Sequence, residues 1–223
     1  MNSSPTKRLA VFDLDGTITR EDSFLAFLLF AYTRQPRRWW RAPLLACAVV
    51  MHKTGLKPND WLKSFFLRHV LGHLTRTARE EMVQAFLPGF LSTHLRNKAR
   101  DQIHAHRLAG EFILLLSASP DFIVRPIAAD LGIEEVICTV CAEDAQTRLT
   151  GTLKGGNCYG PEKGRRLEAW LAASGEKWDT VAYSDHHSDL TLLTNATEGF
   201  AVNPTPKLRA LVAPLNIPIV DWD

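Results

Sequence analysis

Two periodicities divide this chain. Short apolar runs of strand length open it at Leu9-Ala-Val-Phe12 and return after Glu111, at Phe112 to Ser117, Val136 to Val140, Thr180 to Tyr183 and Gly199 to Val202. Between Arg20 and Glu111 the pattern is helical instead. Phe24 to Tyr32 and Pro43 to Met51 are almost wholly apolar, and Trp61 to Val70 and Ala78 to Leu87 repeat apolar residues at three- and four-residue spacing. Breakers at Gln35-Pro36, Gly55 to Pro58, Gly72 and Pro88-Gly89 separate them, which predicts roughly four or five helices. Among the later strands, Phe122 to Leu131 reads as a helix stopped at Gly132, and Arg148 to Tyr159 as a glycine-rich hairpin. Pro161 to Ser174 reads as a helix with proline in its first turn and Gly175 just past its end.

Strands that alternate with helices predict an α/β fold, a doubly wound parallel-sheet (Rossmann-like) core with helices on both faces. The helical segment is too long for a loop and is an inserted helical domain. The expected division is residues 1–21 and 108–223 for the core and 22–107 for the insert. At 223 residues, 46% hydrophobic and 22% charged, the composition is that of a globular protein with a sizeable core. Net charge is only +2, but residues 22 to 110 hold 14 Lys and Arg against 5 Asp and Glu, so a basic segment sits in an acidic body. Met1 to Arg8 is a short polar lead without a secretory apolar region, which gives a cytoplasmic expectation. Four cysteines are too few and too scattered for a disulfide framework. Cys138 and Cys141 form a CxxC, but in a strand their spacing places them on opposite faces, so they read as core or surface thiols.

The chemistry gathers where strands end. Ligands of such sheets bind beyond the carboxyl ends of the strands. Asp13 and Asp15 follow the first strand, Ser117 the second, Lys163 opens a helix, and Asp185 and Asp189 follow Thr180-Val-Ala-Tyr. Asp13 and Asp15, two residues apart, point the same way on a strand. Two like charges that close raise the energy unless a cation lies between them or one carboxyl keeps its proton.

Taken together and in this order, these features resemble the haloacid dehalogenase-like superfamily of phosphatases. FDLDGT, residues 12–17, is similar to its first motif, and the insert is similar to the helical C1-type cap of the phosphoserine phosphatase-like branch. The resemblance implies Mg²⁺ held by Asp13, the main-chain carbonyl of Asp15, and Asp185, the oxygen ligands this ion prefers. Asp13 would attack phosphorus and Asp15 would protonate the leaving oxygen and then take a proton from water. Ser117 would donate a hydrogen bond to a phosphoryl oxygen, and Lys163 would offer it a fixed positive charge. Asp189 would hold the lysine or a metal-bound water, and the amide or hydroxyl of Thr17 would lie near phosphate. Phosphoserine phosphatases usually carry Glu nine residues after the nucleophile and a glycine pair after the second-motif serine. Asp22 and Ala118-Ser119 stand there, and are the further substrate-binding candidates. His186 and His187 replace small residues of the fourth motif and read as exposed histidines.

The cap admits two readings. Its runs Phe24 to Tyr32 and Pro43 to Met51 would pack together as a cap core, since an insert of this size needs one. Alternatively, Arg34-Gln-Pro-Arg-Arg-Trp-Trp-Arg41 and the run after it resemble the cap of bacterial phosphatidylglycerophosphatases and suit the inner face of a membrane, with anionic lipid meeting the arginines. No nucleic-acid-binding motif accompanies the basic excess, so no nucleic acid partner is expected. Three functions follow: a Mg²⁺-dependent phosphatase of a small organic phosphate (phosphoserine or histidinol-phosphate type), a lipid phosphatase at the membrane surface, or a non-catalytic phospho-acceptor.

Overall fold

The computed structural model describes residues 6–223; the first five residues of the polar lead lie outside it. Five parallel strands, β1 (Lys7–Phe12), β2 (Phe112–Pro120), β3 (Glu135–Glu143), β5 (Trp178–Ser184) and β6 (Glu198–Val202), form most of one sheet. Strand β4 (Leu149–Lys154) pairs antiparallel with β3, and a short β7 (Ile219–Val220) adds in parallel to β6. The order is β4-β3-β2-β1-β5-β6-β7, which is the doubly wound sheet that the alternation predicts. Its centre is β1, paired in parallel with both β2 and β5. Leu9 and Val11 enter one apolar cluster and Ala10 and Phe12 the other, so an unbroken apolar run is buried on both faces.

Five helices fill the chain between β1 and β2: α1 (Ser23–Thr33), α2 (Ala42–Lys53), α3 (Asn59–Phe66), α4 (Arg76–His94) and α5 (Asn97–Leu108). Helix α5 packs along the sheet, through Ile103 and through His106, which hydrogen-bonds Tyr183 of β5 at 3.0 Å, whereas α1 and α3 meet it at β2 and at β4. The chain enters and leaves the other four at one place. Thr19 bridges Leu95 in antiparallel fashion, the Arg20 amide donates to the His94 carbonyl at 2.8 Å and the Arg96 amide to Ile18 at 3.0 Å.

Further along come α6 (Asp121–Asp130), α7 (Pro161–Ser174), the short α8 (Leu190–Asn195) and α9 (Pro206–Val212). Gly132 and Gly175 follow α6 and α7 in the left-handed region, φ +65° at both, where a side chain would be strained.

Several local expectations are corrected. The hairpin is β3–β4 with its turn at Asp144–Thr147, so Arg148 to Tyr159 supplies one strand and the loop after it. Cys138 and Cys141 lie in the same apolar cluster because the far end of β3 leaves the main sheet to pair with β4 and the cluster wraps around it. The two apolar runs of the insert share little of one core, with only Leu45 of the second at the edge of the cluster that holds the first. Helix α1 buries Phe24, Phe27, Leu28 and Ala31 and packs on α4, where Phe27 meets Phe86 edge-on at 5.4 Å; α2 leans on α3 and buries only Ala48.

Candidate active site

Every strand that ends at the site delivers a polar residue there. The backbone continues past β1 with the Asp13 amide bonded to the Tyr183 carbonyl at 3.0 Å, then turns sharply at Gly16, φ +89°. That glycine is required twice over. Its positive φ disfavours any other residue, and a Cβ would lie 2.3 Å from Asp185 Oδ2. Lys163, in the first turn of α7, donates to Asp13 Oδ1 and to Asp189 Oδ2, both at 2.6 Å and all three buried. Ser184 Oγ also donates to Asp189 Oδ2, at 2.8 Å. Burial lowers the lysine, but the two carboxylates outweigh it and hold Nζ charged, well above the ordinary lysine value. Asp13 moves up as well: burial raises it, Lys163 pulls it back, and Asp189 and Asp185 raise it again.

Asp15 lives in a different environment. A shift in the β2–β3 register between Leu116 and Pro120 takes Ser117 to Ser119 off the ladder. The freed Ser119 Oγ donates to Asp15 Oδ2 at 2.5 Å while the Ser23 amide donates to Oδ1 at 2.7 Å. Burial, with the nearby Asp22 charge, raises Asp15 to about 6 against the opposing pull of these two donors. Asp185 is likewise raised to about 6 by burial.

A cavity of about 360 Å³ opens between these groups and the insert. Its floor includes Asp13, Asp15, Asp185, Lys163 and Asp189; its roof is apolar, from Phe24 and Leu28 of α1 and Leu62 and Phe66 of α3. Asp22, Ala118 and Ser119 also reach it, Asp22 while capping α1 by accepting from the Leu25 amide at 2.7 Å. Two of the predicted residues stand behind the cavity instead. Ser117 is fully buried, its Oγ accepting from the Ser119 amide at 3.0 Å. Thr17 does not line the cavity, and its hydroxyl accepts from the Asp185 amide at 3.0 Å and donates to Asp185 Oδ1 at 3.1 Å. His186 and His187 are half-buried rather than exposed, and His186 lines the cavity.

Lys63 was not among the sequence candidates. It reaches down from α3, is 7% exposed, and donates to the Ala118 carbonyl at 2.6 Å and Asn157 Oδ1 at 2.5 Å. Burial lowers its pKa, partly offset by Asp22 and Asp15. Asn157 in turn donates to Asp60 Oδ1 at 2.8 Å, so one buried lysine and one amide join the insert to the loops below. Nothing in the sequence separates Lys63 from the solvated lysines on other helices.

Among the described residues no three His, Cys, Asp or Glu side chains cluster as metal ligands. Two carboxylates and a main-chain carbonyl are still a fitting set. The hydrogen bonds of Asp13 and Asp185 engage their Oδ1 atoms, and Asp185 Oδ2 faces the space beside Gly16 that a Cβ would fill. An all-oxygen set with room for water suits Mg²⁺.

Parallel sheet, paired carboxylates at the end of its central strand, a buried lysine and a helical roof define a hydrolase of phosphate esters, and residues 10–194 match the haloacid dehalogenase-like hydrolase family, to which the chain belongs. It is a phosphatase of that family. It is 28% identical to a histidinol-phosphatase of Neisseria meningitidis serogroup C (strain 8013), over 97% of this chain and 99% of the relative. A protein of unknown function from Bordetella pertussis Tohama I has the same fold at TM-score 0.88 and 26% identity, covering 98% of this chain and 100% of that one. A substrate-bound phosphoserine phosphatase shares the fold at TM-score 0.67 and 17% identity, over 99% of this chain and 96% of that one.

Proposed function

We propose that this chain is a Mg²⁺-dependent phosphomonoesterase working through phosphorylated Asp13 on a small, amine-bearing organic phosphate, with histidinol phosphate the first candidate. The observation that carries the reading is the unequal partnering of the two carboxylates: the Lys163 cation donates to Asp13, while Asp15, raised by burial to about 6, accepts only from the neutral donors of Ser119 and Ser23. Neighbouring carboxyl groups in unlike surroundings divide into nucleophile and acid.

Asp13 attacks phosphorus with an oxygen lone pair and the bond to the ester oxygen breaks. Asp15 gives its proton to the departing oxygen, and as a carboxylate then takes a proton from the water that hydrolyses the acyl phosphate. Lys163 holds positive charge beside the phosphoryl group, and its second bond, to Asp189, keeps Nζ in place. Ser117 positions the Ser119 loop, and Thr17 positions Asp185. Mg²⁺ on Asp13, the Asp15 carbonyl and Asp185 would neutralise phosphoryl charge.

Helices α1 to α4 form the cap in this reading, while α5 belongs with the sheet. Phe24, Leu28, Leu62 and Phe66 suit an imidazole ring and Asp22 an ammonium group, while Lys63 ties this roof to Ala118 and Asn157. Phosphoserine has the amine but not the ring. The first test is phosphate release from histidinol phosphate, phosphoserine, glycerol phosphate and phosphatidylglycerophosphate, with Mg²⁺ or EDTA, for wild type and Asp13→Asn. Turnover that needs metal and Asp13, fastest on histidinol phosphate, is expected. A best rate on the lipid ester would move the substrate to the membrane, and an acyl phosphate without turnover would make the chain a phospho-acceptor.

A further inference from the structure

Helix α2 is an apolar helix that leans on α3 with one side and leaves the other open. Of Ala42-Pro-Leu-Leu-Ala-Cys-Ala-Val-Val-Met51 only Ala48 is buried; Leu44, Cys47 and Val50 form an open stripe at three-residue spacing. The turn before it, Pro36–Arg41, buries none of its residues and exposes Trp39 (53%) and Trp40 (72%). These rings are presented on a fixed turn. Trp39 Nε1 donates to the Tyr32 carbonyl at 3.1 Å, and the Tyr32 hydroxyl donates back to the Trp39 carbonyl at 3.1 Å.

Charge identifies what covers this face. From Ser23 to Asn59 the chain carries Arg34, Arg37, Arg38, Arg41, Lys53 and Lys57 and no Asp or Glu. Among the described residues no carboxylate forms a salt bridge with any of the four arginines. Arg34 stacks on Phe30 at 3.6 Å and Arg41 over Trp40 at 5.0 Å. A second copy of the chain on this face would bring two uncompensated arginine clusters into one interface, which disfavours a symmetric dimer. Anionic lipid answers both needs, headgroups to the guanidinium groups and the acyl boundary to the indole rings and the apolar stripe. Since no described helix is long and apolar enough to cross a membrane, the segment would lie in the interface.

We infer that Pro36 to Val50 is a docking surface for anionic membranes, seated by Trp39, Trp40 and Leu44 and attracted by Arg34 and Arg37. It is independent of which ester is hydrolysed. The test is co-sedimentation with phosphatidylcholine vesicles, with and without phosphatidylglycerol, at low and high salt. The expected result is binding to anionic vesicles alone, weakened by salt. It should fall by about tenfold or more in Trp39→Ala/Trp40→Ala and in Arg34→Glu/Arg37→Glu, and be unchanged in Arg209→Glu on the exposed side of α9. Thermal melts confirm that each variant is folded. Asp13→Asn should bind as wild type does, so loss of catalysis and loss of docking are told apart. Failure of wild type to sediment with anionic vesicles at low salt, equal binding to phosphatidylcholine alone, or binding untouched by both double variants would overturn the inference. So would a dimer, seen by sedimentation velocity, that the tryptophan variant dissolves.

Discussion

Floor and roof of the cavity are built in opposite ways. On the floor each carboxylate is fixed by at least one donor from a distant part of the chain: Asp13 by Lys163, Asp15 by Ser119 with Ser23 nearby, Asp185 by Thr17, Asp189 by Lys163 with Ser184 nearby. The roof offers apolar side chains and one buried lysine. Such a division assigns bond breaking to the floor and choice of substrate to the roof, because charge placed to a fraction of an ångström needs the rigid sheet, whereas shape selection needs only a replaceable wall.

Changes at the floor should therefore act on rate, and changes in the roof on selection or folding. The largest effect is expected of Asp13→Asn, which should lower phosphate release on every ester by about a thousandfold or more while leaving the thermal melt in place. Within the roof, the packed and the open apolar helices should separate cleanly in urea unfolding. Phe27→Ala should cost about 3–5 kcal/mol, since it empties a buried site between Phe86 and Phe122, whereas Leu44→Ala on α2 should stay within about 0.5 kcal/mol. Equal costs for the two would mean that the Leu44 side of α2 is covered within the folded chain.

Next comes Lys63→Met, which should raise KM for histidinol phosphate by about tenfold and change kcat on p-nitrophenyl phosphate little. A loss of kcat alone would place Lys63 with the floor. Smallest is a stability effect of Asp185→Asn. Burial raises this carboxyl to about 6, so the folded chain holds its proton more tightly than the unfolded one and the ionised form opposes folding at neutral pH. Without Mg²⁺ the variant should therefore melt higher than wild type at neutral pH. The gain should shrink as pH falls through about 6 and wild type takes up its proton. Mg²⁺ should reverse the order, stabilising wild type alone.

How much of this was legible varied with how local the signal is. Leu9 to Phe12 announced a central strand because both its faces are buried, and FDLDGT announced the floor because a shared charge problem is visible in two aspartates one residue apart. The short β7 and α9 had too few residues for a periodic pattern. Lys63 and the partner of Thr17 escaped for another reason. A buried lysine is written like a solvated one, and the threonine's acceptor, Asp185, lies 168 residues away. Alike in composition, the two apolar runs of the cap fared differently because α1 found α4 to pack on. Hydrophobicity says that a face wants cover without saying what supplies it.

The paired crossing at Ile18 to Arg20 and His94 to Arg96 has a meaning for descent as well as for shape. Because departure and return are hydrogen-bonded to each other, the segment between them could be exchanged for a longer, shorter or unrelated one while β1 and β2 stay paired. A lineage built this way can keep one reaction and change its clientele by grafting at a single seam.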